Sequence, residues 1–104
     1  MKRKICRIII NIFSLEKENT NLIKSARVYL LVGRKRAYLG KSNKLGEARI
    51  ALIMGQSLRL LIKAEGFADT ILYLSSIPPI RREITVKLER ESPRFRSQIL
   101  KYYI

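Results

Sequence analysis

Histidine and tryptophan are absent from this chain of 104 residues, cysteine occurs once, and acidic residues are scarce. Without histidine no Ser-His or Cys-His pair can activate a nucleophile. Cys6 alone builds neither a disulfide framework within the chain nor a cysteine zinc site, so no structural metal is expected. A two-metal nuclease needs several carboxylates converging from strands. Glu47, Glu65, Asp69 and Glu83 instead fall at the ends of predicted elements, where capping or pairing with arginine is their plain role. Neither Gly-x-Gly-x-x-Gly nor Gly-x-x-x-x-Gly-Lys-Ser/Thr occurs, which leaves nucleotide chemistry unsupported. The expectation is a non-enzyme with no cofactor and no small-molecule substrate. Membrane spanning is not expected either, since no stretch reaches the roughly 18 uncharged apolar residues a helix needs to cross. The basic start at Met1, Lys2, Arg3 and Lys4 followed by an apolar run imitates a signal peptide. Arg7 and Asn11 interrupt that run and no small-residue cleavage site follows, so it reads as a strand.

Positive charge is what the chain has in excess. Lys and Arg number 22 against 8 Asp and Glu, a formal net charge of +14, and 47% of the residues are hydrophobic. That apolar content supports one globular domain over residues 1–104 and separates the chain from a disordered basic tail. The charge far exceeds the net 2 to 8 or so that keeps a small domain soluble, so it points to a partner bearing phosphates.

Hydrophobic periodicity predicts a strand over residues 5–13, with Cys6, Ile8, Ile10 and Ile12 on one face. Residues 26–32 and 36–40 flank Gly33-Arg34-Lys35 as a hairpin with glycine at its tight turn. Residues 45–65 are proline-free, rich in Leu, Ile and Ala, and closed by Gly66, which predicts a long helix. On that helix Arg49, Gln56, Arg59 and Lys63 fall within an arc of roughly 80°, and almost all the rest is apolar. A short strand follows at residues 70–75, and Pro78-Pro79 turn the chain. Residues 80–92 fit either period: Ile84, Val86 and Leu88 alternate, while Ile80, Ile84 and Leu88 recur every four residues. The prolines before them and the run Lys87-Leu88-Glu89-Arg90-Glu91 favour a helix. Residues 94–104 read as a last strand. The predicted fold class is α/β, with a mixed sheet, a basic hairpin, one long helix and one short helix.

Gly66-Phe67 after the long helix, the strand around Ile71 to Leu74, Pro79 and Arg81 before a short helix, and Phe95-Arg96 in the closing strand form a succession. It resembles the small-subunit ribosomal protein family conventionally numbered eleven, with Leu39-Gly40 matching the pair that ends the family's hairpin. The resemblance covers most of residues 26–104, and the chain looks like a divergent, shortened member. It implies a ribonuclease-H-like sandwich without enzymatic activity on the platform of the small ribosomal subunit. Its partners would be small-subunit rRNA and neighbouring ribosomal proteins. The Ile, Lys and Asn bias suggests an AT-rich genome, with mitochondrial or other organellar ribosomes as the setting and cytoplasmic ones otherwise.

Under this reading Arg34, Lys35, Arg36, Lys41 and Lys44 grip phosphates from the hairpin, Arg81 and Arg82 from the loop, and Arg94 and Arg96 from the last strand. Tyr29, Tyr38, Tyr73, Tyr102 and Tyr103 are available to stack on bases, although tyrosine at strand positions is ordinarily packing. The alternatives are a non-ribosomal DNA- or RNA-binding regulator with the same charge logic, and a metal-dependent nuclease acting through Asp69.

Overall fold

A computed structural model describes residues 5–14, 23–53, 57–74, 83–91 and 97–102, the last segment as backbone only. Every regular element among them is a strand: β1 (Ile5–Ser14), β2 (Arg27–Val32), β3 (Lys35–Lys41), β4 (Glu47–Ile53), β5 (Leu58–Lys63), β6 (Asp69–Leu74), β7 (Glu83–Leu88) and β8 (Ser97–Tyr102). They form a three-stranded sheet in the order β4-β1-β7 and a five-stranded sheet in the order β3-β2-β5-β6-β8. β1 pairs antiparallel with β4 and parallel with β7, and β8 lies parallel to β6.

The first strand folds as its alternation dictates. Cys6, Ile8, Ile10 and Ile12 are at most 1% exposed. From the same sheet Ala48, Ile50 and Leu52 of β4 and Ile84, Val86 and Leu88 of β7 join them. Val28, Leu60, Ile62, Leu72 and Leu74 face them from the five-stranded sheet, and the two layers enclose one apolar cluster. Burying each such side chain contributes about 1.5 to 3 kcal/mol. The hairpin also forms as expected. Gly33 holds φ at 59° in the first position of a two-residue turn, the place that a type II′ turn reserves for glycine.

The α/β class is overturned. The long helix expected over residues 45–65 is β4 and β5, which belong to different sheets. The burial of β4 alternates strictly, with Ala48, Ile50 and Leu52 inside and Arg49, Ala51 and Ile53 outside. A helix apolar around most of its circumference would need covering on nearly every side, which a chain of this size cannot supply. Two strands bury one face each. Pairing of β4 with β1, and of β5 with β2 and β6, engages their backbones, and this pairing overrides a helix propensity worth a few tenths of a kcal/mol per residue. Met54, Gly55 and Gln56, at the centre of the expected helix, lie outside the described residues. Gly66 does adopt the left-handed conformation, at φ 82°, but in the turn between β5 and β6 and not at a helix end.

The short helix is likewise a strand. In β7 the period-two set Ile84, Val86 and Leu88 is buried, and Glu83, Thr85 and Lys87 face outward. A ribonuclease-H-like sandwich, which requires helices against its sheet, is therefore not the fold.

Between β3 and β4 the chain passes from one sheet to the other through a tightly bonded corner. Ser42 donates its backbone N–H to the Ala26 carbonyl at 2.8 Å and accepts from the Ser25 N–H at 2.9 Å. Its buried hydroxyl donates to the Ile23 carbonyl at 2.6 Å and accepts from the Ala26 N–H at 2.9 Å. The Asn43 side chain accepts from the N–H groups of Leu45 and Glu47, closing the turn before β4. This corner fixes the place of Lys41 at the end of β3 and of Lys44 in the connection.

Candidate polyanion-binding face

In the five-stranded sheet the core-facing residues are fixed by burial: Val28 and Leu30 on β2, Leu60 and Ile62 on β5, Thr70 and Leu72 on β6. Alternation sends their neighbours to the outer face. Register then arranges these in rows across the strands. Lys41, Arg27, Lys63 and Asp69 form one row, Tyr38, Tyr29, Leu61 and Ile71 the next, and Arg36, Leu31, Arg59 and Tyr73 the third. A register shift between Val28 and Tyr29 inserts Leu39 as an extra residue in β3. Leu39 packs on the core, so the bulge keeps both Tyr38 and Lys41 on the outside.

The face is basic. Arg27, Arg36 and Lys41 are exposed, and Arg59 and Lys63 are half-buried. Against them stands Asp69, which accepts a 2.9 Å bond from the Lys63 ammonium. Arg36 lies over the Tyr29 ring, with Cζ 4.6 Å from its centroid, and Tyr38 meets that ring edge-on at 5.7 Å. An open groove of about 790 Å³ runs along the first row, with Arg27, Lys41 and Lys63 lining one part and Glu65, Asp69 and Glu91 another.

The outer face of the three-stranded sheet has a different balance. Arg7, Arg49 and Lys87 alternate there with Glu47 and Glu83. Glu47 lies 3.8 Å from Arg49, and Glu83 accepts a 2.8 Å bond from the Asn11 amide. The excess of positive charge on the strands is thus larger on the outer face of the five-stranded sheet, where five cations stand against Asp69, than on the other, where three stand against two carboxylates.

Of the residues that sequence reasoning placed at the site, Arg36 and Lys41 share this face. Arg34 and Lys35 are exposed at the hairpin tip, and Lys44 is exposed in the β3–β4 connection. Arg81, Arg82, Arg94 and Arg96 lie outside the described residues. Arg27, Arg59 and Lys63 were missed. The helical reading put Arg59 and Lys63 on one stripe with Arg49, but the strands separate them, with Arg49 on the opposite sheet. Residues 58–63 do not alternate polar with apolar, since Leu61 stands between Arg59 and Lys63 on the outer face, so no local pattern marked those two.

No protein-family model matches the chain, and no curated protein matches it. Among solved structures it is similar to the minor pilin GBS52 of the Gram-positive pathogen Streptococcus agalactiae, with a TM-score of 0.55 and 10% sequence identity. The likeness covers 86% of this chain and 46% of the pilin chain, so the chain spans just under half of that protein. At that identity it is a likeness of fold, and the fold is a two-sheet sandwich.

Proposed function

We propose that this chain is a non-catalytic β-sandwich module that holds a polyanion, an RNA or a similar phosphate-rich polymer, against the outer face of its five-stranded sheet. The observation that carries the reading is the unequal charge of the two outer faces. Arg27, Arg36, Lys41, Arg59 and Lys63 stand on the strands of this face against Asp69, with Glu65 and Glu91 at one part of the groove, whereas the other outer face sets Arg7, Arg49 and Lys87 against Glu47 and Glu83. Each cation that neutralises a phosphate releases a counterion, so affinity should fall steeply with salt. Placement on the small ribosomal subunit belongs to a resemblance whose helices the described residues do not form, and it has no part in the reading.

The test compares two double variants of the whole chain in a salt titration against a homopolymer RNA. Arg27→Ala with Lys41→Ala removes two cations from the proposed face and should flatten the log–log salt slope by about two. Arg7→Ala with Arg49→Ala removes two from the other sheet and should change it little. Equal losses in both would place the attraction in the net charge and sink the proposed face.

A second reading follows from the fold neighbour, part of a minor pilin built on such a sandwich: the chain serves as a structural unit of a protein assembly. Under it the cations of the five-stranded face have no ligand, and neither double variant alters any salt-dependent binding. The larger excess of cations on the five-stranded face favours the first reading.

A further inference from the structure

Tyrosines stand among the cations of the same face, and they do not all have the same role. Tyr29 is half-buried, capped by Arg36 and held edge-on by Tyr38, which makes it a packing residue. Tyr38 and Tyr73 differ from it, being 56% and 37% exposed. Isolated surface apolar groups are ordinary. These two are set apart by their neighbours. Tyr38 lies in β3 between Arg36 and Lys41, and Tyr73 is paired across the strands with Arg59 beside a shallow hollow lined by Leu31 and Ser57. Each offers an aromatic surface next to a cation, the combination that engages a base and its phosphate together.

We infer that the face takes a single-stranded nucleic acid, laid across the sheet from β3 to β6, with one base stacked on Tyr38 and another on Tyr73. Arg59 meets a phosphate beside the Tyr73 base, and Arg27 and Lys41, in the row on the other side of Tyr38, meet those flanking the Tyr38 base. The inference rests on the polyanion reading and narrows its ligand. The two strands are three strand spacings apart and the two rings lie in adjacent rows, which sets them roughly 16 Å apart at the usual strand spacing and rise, a span of about two or three extended nucleotides. A duplex fits poorly. Its base faces are already stacked on one another, and a major groove about 12 Å wide admits a two-stranded ribbon but not a face four strands across. A polyanion without bases would use the arginines and lysines and leave both rings idle.

The experiment measures binding of the full chain to labelled oligo-uridine and oligo-thymidine of about 12 nucleotides, to a duplex of equal length, and to heparin. Both single strands should bind at least about tenfold more tightly than the duplex at equal salt. Tyr38→Ala and Tyr73→Ala should each weaken single-strand binding about tenfold and leave heparin affinity and the salt slope unchanged, while Tyr38→Phe should stay within about twofold. Because the chain has no tryptophan, its intrinsic emission comes from tyrosine. Single strands should quench that emission and heparin should not. Salt-sensitive binding that is indifferent to Tyr38→Ala and Tyr73→Ala, or that favours the duplex, overturns the stacking inference and leaves the polyanion reading intact. No salt-sensitive binding to any of these probes removes both.

Discussion

The Arg36 guanidinium sits 4.6 Å above the centroid of the Tyr29 ring. The two residues belong to paired strands, and Tyr38 braces the same ring from its edge. The hairpin that carries Arg27, Arg36 and Lys41 of the basic face is thereby stiffened by contacts made on its outer side. A double-mutant cycle between Arg36→Ala and Tyr29→Leu, followed by urea denaturation, should give a coupling of about 0.5 to 1 kcal/mol. A coupling indistinguishable from zero would mean that Arg36 is free for a ligand at no cost to the fold.

Ala48 and Ala51 distinguish strand from helix directly. Ala48 is fully buried and Ala51 is exposed, on opposite faces of β4. Three residues apart on a helix, they would share a face and respond alike. Ala48→Glu should therefore abolish cooperative unfolding by burying an unpaired charge, and Ala51→Glu should shift stability by no more than about 0.5 kcal/mol. Circular dichroism of each variant and its thermal melt supply the measurement.

What could be read in the sequence was decided by how many elements a pattern needed. β1 was legible because Cys6, Ile8, Ile10 and Ile12 fall on one face with Arg7 and Asn11 on the other, and the β2–β3 hairpin because Gly33 marks its turn. Residues 45–65 were not. Leu, Ile and Ala suit both structures, and the choice depended on β1 and β2 offering free edges to β4 and β5, which no local window contains. Glycine at position 55, costly in a helix by up to about 1 kcal/mol, was the local warning. The site followed the fold. Arg36 and Lys41 could be named because the hairpin was found, and Arg27, which pairs with Lys41 in that hairpin, was within reach of the same reading, whereas Arg59 and Lys63 join them only once β2 and β5 are known to be neighbours.

Ser42 ties the corner between the sheets to the segment before β2, and its hydroxyl is a donor to Ile23 and an acceptor from Ala26 in the protein interior. Ser42→Ala leaves both backbone groups without that partner. The expected loss is about 1 to 3 kcal/mol in chemical denaturation, with hydrogen exchange fastest at Ala26. Loss below about 0.5 kcal/mol would show that water replaces the hydroxyl.

Gly33 and Gly40 lie in one hairpin and should respond oppositely to alanine. At Gly33 no atom would meet a new Cβ within 4 Å, yet φ is +59°, so Gly33→Ala should cost about 1 to 2 kcal/mol through the backbone alone. At Gly40 the φ is ordinary and a Cβ would stand 3.6 Å from the Arg49 carbonyl oxygen and 3.7 Å from Ile50 Cγ2, normal contact distances. Gly40→Ala should be neutral or stabilise by up to about 1 kcal/mol, because it restricts the unfolded chain. Paired urea titrations give both values.

Asp69 offers a test in which the variant gains activity, so misfolding cannot imitate the expected result. Its carboxylate holds the Lys63 ammonium at 2.9 Å on the face where Arg27 and Lys41 complete the row. The side chains of both partners remain about 40% exposed, so the pair is a surface one and contributes at most about 1 kcal/mol to stability. Its stronger effect is on the field of the face, where the carboxylate cancels one cation and repels an approaching phosphate. Asp69→Asn keeps the shape, frees Lys63 and removes that repulsion. Affinity for a homopolymer RNA should rise about threefold or more at low salt, and the salt slope should steepen by about one as Lys63 becomes available to a phosphate. In the background of Lys63→Ala the same change should retain only the relief of repulsion and leave the slope as it was. An Asp69→Asn chain that binds no better than the parent would show that the polyanion passes elsewhere on the surface.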